Sequence, residues 1–143
     1  MKKGILLFGI AGASLLLLTG CENKSTLKCN MSQSGVDVNF NVGFKGNKID
    51  NMSLQYLMDV SSLSDSEVSA LKGQDLCSGL KEDIDEFKEA FADCKQNLED
   101  KKLSIDATFD VNKIAGDQLS KMQTPEDAKK DLENSGYTCK IEK

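Results

Sequence analysis

A chain of 143 residues, 39% apolar and 29% charged, can build one modest core and has no room for a second. All eighteen basic residues are lysine, and histidine, arginine and tryptophan are absent, which removes Ser–His and Cys–His dyads, imidazole metal sites and the bidentate guanidinium fork. From residue 21 onward 16 lysines stand against 23 acids, a net charge of −7, which argues against nucleic acid as a partner and against a domain lying flat on anionic lipid.

Lys2 and Lys3 give the chain a positive start. Residues 4–18 follow as fifteen apolar or small residues with one serine. That is short of the ~20 apolar residues of a membrane-spanning helix, and it suits the apolar core of a signal peptide. Leu18-Thr19-Gly20-Cys21 then resembles the lipobox of bacterial lipoproteins. The resemblance implies diacylglycerol on the Cys21 thiol and cleavage between Gly20 and Cys21. Two acyl chains anchor firmly where one would not. On this reading residues 1–20 are a signal peptide, 21–25 are the lipidated cysteine and a short tether, and 26–143 form a single domain. The expected location is the extracytoplasmic face of the cell membrane.

Within that domain, residues 26–31 read as a strand and Ser34-Gly35 as a turn. Val36, Val38, Phe40, Val42 and Phe44 alternate with polar or small residues, the period of a half-buried antiparallel strand. Gly46-Asn47 makes a hairpin turn, and Met52, Leu54, Tyr56, Met58 and Val60 continue the alternation. Ile49 is out of phase with that set, so a bulge is expected near Asp50-Asn51. Ser64 and Glu67 form a capping box that opens a helix. Leu76, Leu80, Ile84, Phe87 and Phe91 predict an amphipathic helix with an acidic opposite face.

Residues 92–98 predict a strand, 99–101 a turn, and Leu103 to Val111 a second alternating strand. Residues 112–123 are less regular and suit a short helix. Thr124-Pro125-Glu126-Asp127 starts another helix, with Gly136 as its C′ residue, and 137–141 form the last strand. The predicted order is β-β-β-α-β-β-α-β. That is an α+β fold of five to six mainly antiparallel strands, with helices packed on one face.

Outside the cytoplasm disulfides persist, and Cys29, Cys77, Cys94 and Cys139 remain once Cys21 is set aside. Four cysteines allow three pairings, and spacing alone does not choose among them. A Cys₄ zinc site or a redox centre would want C-x-x-C, which the spacings of 48, 17 and 45 residues do not contain. No metal and no cofactor is expected. Cys29–Cys139 is favoured, because each lies on the apolar phase of its strand near one end of the domain. Cys77–Cys94 follows by elimination and carries a condition. Seventeen residues of straight helix would span ~25 Å, whereas disulfide Cα atoms lie within ~7 Å. An unbroken helix from Leu76 to Phe91 would forbid the pairing.

The whole arrangement resembles the YehR-like small lipoproteins, membrane-anchored α+β domains of unknown function. The residues that carry the likeness are the lipobox, Phe44-Lys45-Gly46-Asn47-Lys48-Ile49, the strand from Leu103 to Val111, and Leu132-Glu133-Asn134-Ser135-Gly136-Tyr137. Cys77 and Cys94 stand outside that pattern. The resemblance implies a fold and no activity.

The expected function is therefore a non-enzymatic envelope domain that binds or scaffolds a partner of unidentified chemistry, held by the lipid on Cys21. Asp37, Asn39, Asn41, Ser53 and Gln55 would form a polar, open sheet face. The alternatives are an accessory component of an uptake system or a small envelope hydrolase. For the hydrolase, Asp106 and Asp110 share one face of a predicted strand. A divalent-cation site among Glu82, Asp83, Asp85, Glu86 and Glu89 lacks the spacing of a calcium loop, so these acids read as a solvated face.

Overall fold

The computed structural model describes residues 23–143. The signal segment, the Gly20–Cys21 cleavage site and the lipid attachment at Cys21 lie outside the described residues. The strands are β1 (Lys24–Gln33), β2 (Val36–Lys45), β3 (Lys48–Asp59), β4 (Phe91–Glu99), β5 (Lys102–Phe109) and β6 (Thr138–Glu142). The helices are α1 (Asp65–Lys72), α2 (Leu76–Asp83), α3 (Gly116–Lys121) and α4 (Pro125–Asn134). Short 3₁₀ turns cover Asp85–Ala90 and Val111–Lys113. The fold is α+β.

All the pairings are antiparallel, and the strands stand in the order β4-β5-β3-β2-β1-β6. Strict alternation puts Leu27, Val38, Phe40, Val42, Phe44, Met52, Leu54, Ala107 and Phe109 on one face, where they form the core with Leu80, Ile114, Met122 and Ala128 from outside the sheet. The β2–β3 register shifts where Gly43 pairs with Asn51 and Phe44 with Ile49. Asp50 is the extra residue of that bulge. It returns Ile49 to the core side, which accounts for the phase break in the sequence. β1 starts at Lys24, opposite Lys45, so only Glu22 and Asn23 separate it from Cys21.

Local chemistry sets the helix ends. Ser64 accepts from the Glu67 N–H and Glu67 accepts from the Ser64 N–H, the reciprocal capping box. Thr124 accepts from the Asp127 N–H with Pro125 at the first helical position.

The stripe from Leu76 to Phe91 does not form one helix. α2 ends at Asp83, a 3₁₀ turn follows, and Phe91 already belongs to β4. The break lets Cys94 return beside α2, where it bonds Cys77 with the Cα atoms 5.8 Å apart. Gln96 of β4 reinforces the same junction. Its Oε1 accepts from the Leu76 N–H at 2.9 Å, a donor left over at the helix start, and its Nε2 donates to the Gln74 carbonyl at 2.8 Å. Cys29 and Cys139 are direct cross-strand partners on β1 and β6 and bond each other, with Cα atoms 4.1 Å apart. β5 also ends earlier than its alternation suggests, because the Asp110 carboxylate accepts from the Asn112 N–H and opens a 3₁₀ turn.

Candidate functional site

The helices cover the sheet unevenly. α4 packs on β1 and β6, and α2 on β4 and β5. Among the described residues no long helix packs on the middle strands, the 3₁₀ turn Val111–Lys113 touches β3, and a cavity of about 190 Å³ lies between these strands, the 3₁₀ turn Asp85–Ala90 and the six-residue α3.

Five aromatic rings stand in its wall, with Leu54, Ile84, Met122 and Leu132 between them. Phe40 comes from β2, Tyr56 from β3, Phe109 from β5 and Phe87 from the 3₁₀ turn. Phe87 meets Phe109 edge-on at 5.9 Å between centroids. Tyr137 is delivered by the end of α4. The Gly136 N–H donates to the Glu133 carbonyl and the Tyr137 N–H to the Leu132 carbonyl, the paired bonds of a Schellman motif. That motif needs a left-handed residue after the helix, and Gly136 supplies φ 99°. It then sets Tyr137 beside Leu132, and both line the cavity.

The polar groups of the cavity are the unusual part. Gln118 is 9% exposed and lines the wall beside Met122, which is four residues on in the chain. Its amide has no hydrogen-bond partner among the described residues. Every fully buried side-chain N or O atom among those residues has a partner, so the Gln118 amide keeps some solvent contact. The phenols of Tyr56 and Tyr137 likewise make no side-chain hydrogen bond among the described residues. Burial pushes the Tyr56 phenol above its ordinary 10.0, and the Asp83 carboxylate adds to the rise. Burial raises Tyr137 in the same way, and Tyr56 contributes. Glu86, Asp131 and Ser135, all exposed, are the other polar residues of the lining, and no lysine takes part in it.

The opposite sheet face differs in kind. One row crosses four strands. The Asn30 amide donates to Asn39 at 3.1 Å, Asn39 to Gln55 at 3.3 Å, and Gln55 to the Asp106 carboxylate at 2.7 Å. Ser32 donates to Asp37. Asn41 and Ser53 pair in register on the same face. Asp37, Asn39, Asn41, Ser53 and Gln55 thus share the polar face, and three of them already satisfy one another or a neighbour.

The carboxylate pair suggested for hydrolysis is not assembled. Asp106 takes the Gln55 amide on β5, while Asp110 lies beyond the strand as a cap. The acids of residues 82–89 are divided between α2 and the 3₁₀ turn, and among them only Glu86 reaches the cavity. Among the described residues no group of three or more Cys, Asp or Glu side chains has the geometry to hold a metal. Tyr56, Gln118 and Tyr137 are the site residues that sequence reasoning passed over. The signal was present at Gln118, a polar residue at the centre of the Ile114-Gln118-Met122 spacing.

No family model matches the sequence, and no curated protein matches it. Among solved structures, the solution structure of the Escherichia coli YehR protein is similar at 13% identity and a TM-score of 0.55, over 82% of this chain and 91% of that one. A protein from Streptococcus pneumoniae TIGR4, also solved by NMR, is similar at 17% identity and a TM-score of 0.45, over 82% of this chain and 84% of the other. The chain therefore has a YehR-like fold, and the likeness extends to the fold alone.

Proposed function

We propose that this chain is a lipid-anchored, extracytoplasmic, non-enzymatic binding domain that takes a small ligand into the aromatic cavity. The observation that carries the reading is Gln118, 9% exposed, which lines the cavity and whose amide has no hydrogen-bond partner among the described residues. Its amide atoms are not fully buried, so they stay open to solvent or to a ligand at a position that is otherwise enclosed. Unpaired Tyr56 and Tyr137 phenols on the same wall extend it.

The address rests on the lipobox-like Leu18-Thr19-Gly20-Cys21 and on two disulfides of a kind that persists outside the cytoplasm. With β1 starting two residues after Glu22, a lipid on Cys21 would hold the β2–β3 hairpin end of the sheet near the bilayer. Lys24, Lys45 and Lys48 occupy that end. The non-enzymatic reading rests on the missing histidine and on the separation of Asp106, bonded to Gln55 on β5, from Asp110, which caps the turn after that strand.

A thermal-shift screen of the full chain in dodecyl maltoside, against compounds about the size of one ring, tests the binding reading. A cavity of about 150 Å³ admits benzene, so 190 Å³ suits ligands of that scale. At least one compound is expected to raise the melting temperature of the wild type and to fail on Gln118→Leu. A panel that shifts nothing, or shifts both proteins alike, contradicts it. For the address, Cys21→Ser is expected to release the protein from the membrane fraction, and retention there would contradict the anchor.

A further inference from the structure

We propose that the cavity is selective for a small organic monocation, of the substituted-ammonium class. This rests on the reading of the cavity as a ligand site and adds the chemistry of the ligand.

The charges on the lining have one sign. The chain carries eighteen lysines, yet the ionisable groups on the cavity wall are Glu86, Asp131 and the two phenols. Asp83 belongs to the adjoining depression, whose wall includes Tyr56, and it acts on that phenol. A negative rim over a low-dielectric wall attracts a cation and repels a carboxylate or phosphate.

The wall itself favours the same charge. Aromatic faces present a negative quadrupole, and cages of such rings hold quaternary ammonium groups. Phe40, Tyr56, Phe87 and Tyr137 surround the space from three different elements and the segment after α4, so a compact cation would meet more than one ring. Acids at a rim alone would be ordinary solvated surface. The separate observation is the Gln118 amide, which has no hydrogen-bond partner among the described residues and whose oxygen can accept from an ammonium N–H or a ligand hydroxyl. Size sets the remaining limit. At 190 Å³ the space is below the ~300 Å³ at which drug-sized sites begin, so polyamines and peptides are too large to be enclosed.

The test is isothermal titration of the full chain in dodecyl maltoside with three probes of one shape: choline, its uncharged isostere 3,3-dimethylbutanol, and the anion 3,3-dimethylbutanoate. Choline is expected to bind about tenfold or more tighter than the uncharged isostere, with no binding of the anion. The double variant Glu86→Gln/Asp131→Asn changes only exposed side chains and is expected to fold. It should lose most of that preference and keep some affinity for both. Equal or tighter binding of the uncharged or anionic probe overturns the cation class and leaves the cavity standing as a ligand site. No binding of any probe overturns the cation class too. In that case a compound of other chemistry that still raises the melting temperature in a Gln118-dependent way preserves the binding reading, and its absence removes both.

Discussion

Gln118 sits in a position built for an apolar side chain, with Ile114 and Met122 buried on either side of it in sequence. Replacing it with leucine removes an unpartnered amide and adds apolar contact. Gln118→Leu is expected to raise stability by about 1 kcal/mol, roughly 3–6 °C in a protein of this size, read by thermal unfolding. A loss of stability would mean that the amide has a partner. Gln96 is the opposite case, since both ends of its amide are used. Gln96→Ala frees the Leu76 N–H and the Gln74 carbonyl and is expected to cost about 1–2 kcal/mol in denaturant unfolding. In the sequence Gln96 carries no mark, and Gln118 carries only its spacing from Ile114 and Met122. A lone glutamine in a short, irregular segment declares its role only when the burial around it is known.

At the level of elements, the caps were legible because they are local. Ser64, Glu67, Thr124, Pro125 and Gly136 act within one turn of chain, and their spacing alone predicts the bonds they make. Thr124→Ala is expected to cost about 1 kcal/mol. It should also loosen α4 and with it the placement of Tyr137, so a weaker ligand-induced thermal shift is expected in the same variant. Strands β1 to β3 were legible because period 2 differs from every helical spacing, and even the bulge announced itself through Ile49. The segment from Leu76 to Phe91 was misleading. Its apolar spacing suits a helix throughout, yet the Cys77–Cys94 bond and the β4–β5 pairing are long-range terms, and they override a local preference. The cavity was illegible for the same reason. It exists because α2 stops short and α4 sits to one side, and neither fact is local.

For the molecule as a whole, the two disulfides differ in the loop they close. Cys29–Cys139 spans 110 residues and Cys77–Cys94 spans 17. In the chain-entropy model the first contributes about 4–5 kcal/mol and the second about 3 kcal/mol. Cys29→Ala/Cys139→Ala is therefore expected to lower the unfolding midpoint more than Cys77→Ala/Cys94→Ala, and the reverse order would contradict the model.

The pH profile should be a plateau with two edges. Glu67, hydrogen-bonded by the Ser64 N–H and hydroxyl, and Asp75, bonded by the Ser78 hydroxyl and N–H, are held below their ordinary values of 4.5 and 3.8. Groups lowered on folding stabilise the protein above those ordinary values, and the contribution fades as pH falls through the lowered ones. Tyr56 and Tyr137 are raised above 10.0, so their contribution is present below that pH and is lost as pH climbs through the raised values. Melting temperatures are expected to fall below about pH 4 and again above about pH 10, with little change between.

The two faces of the sheet differ in their readiness to meet a ligand. The outer row of Asn30, Asn39, Gln55 and Asp106 is already bonded to itself, while Tyr56, Gln118 and Tyr137 are not. The direct measurement is an NMR titration of the full chain with a compound that raises its melting temperature, following the Gln and Asn side-chain amides together with the tyrosine rings. The Gln118, Tyr56 and Tyr137 signals are expected to move while those of Asn30, Asn39 and Gln55 stay in place. Movement of the outer row with Gln118 unmoved would contradict the binding reading.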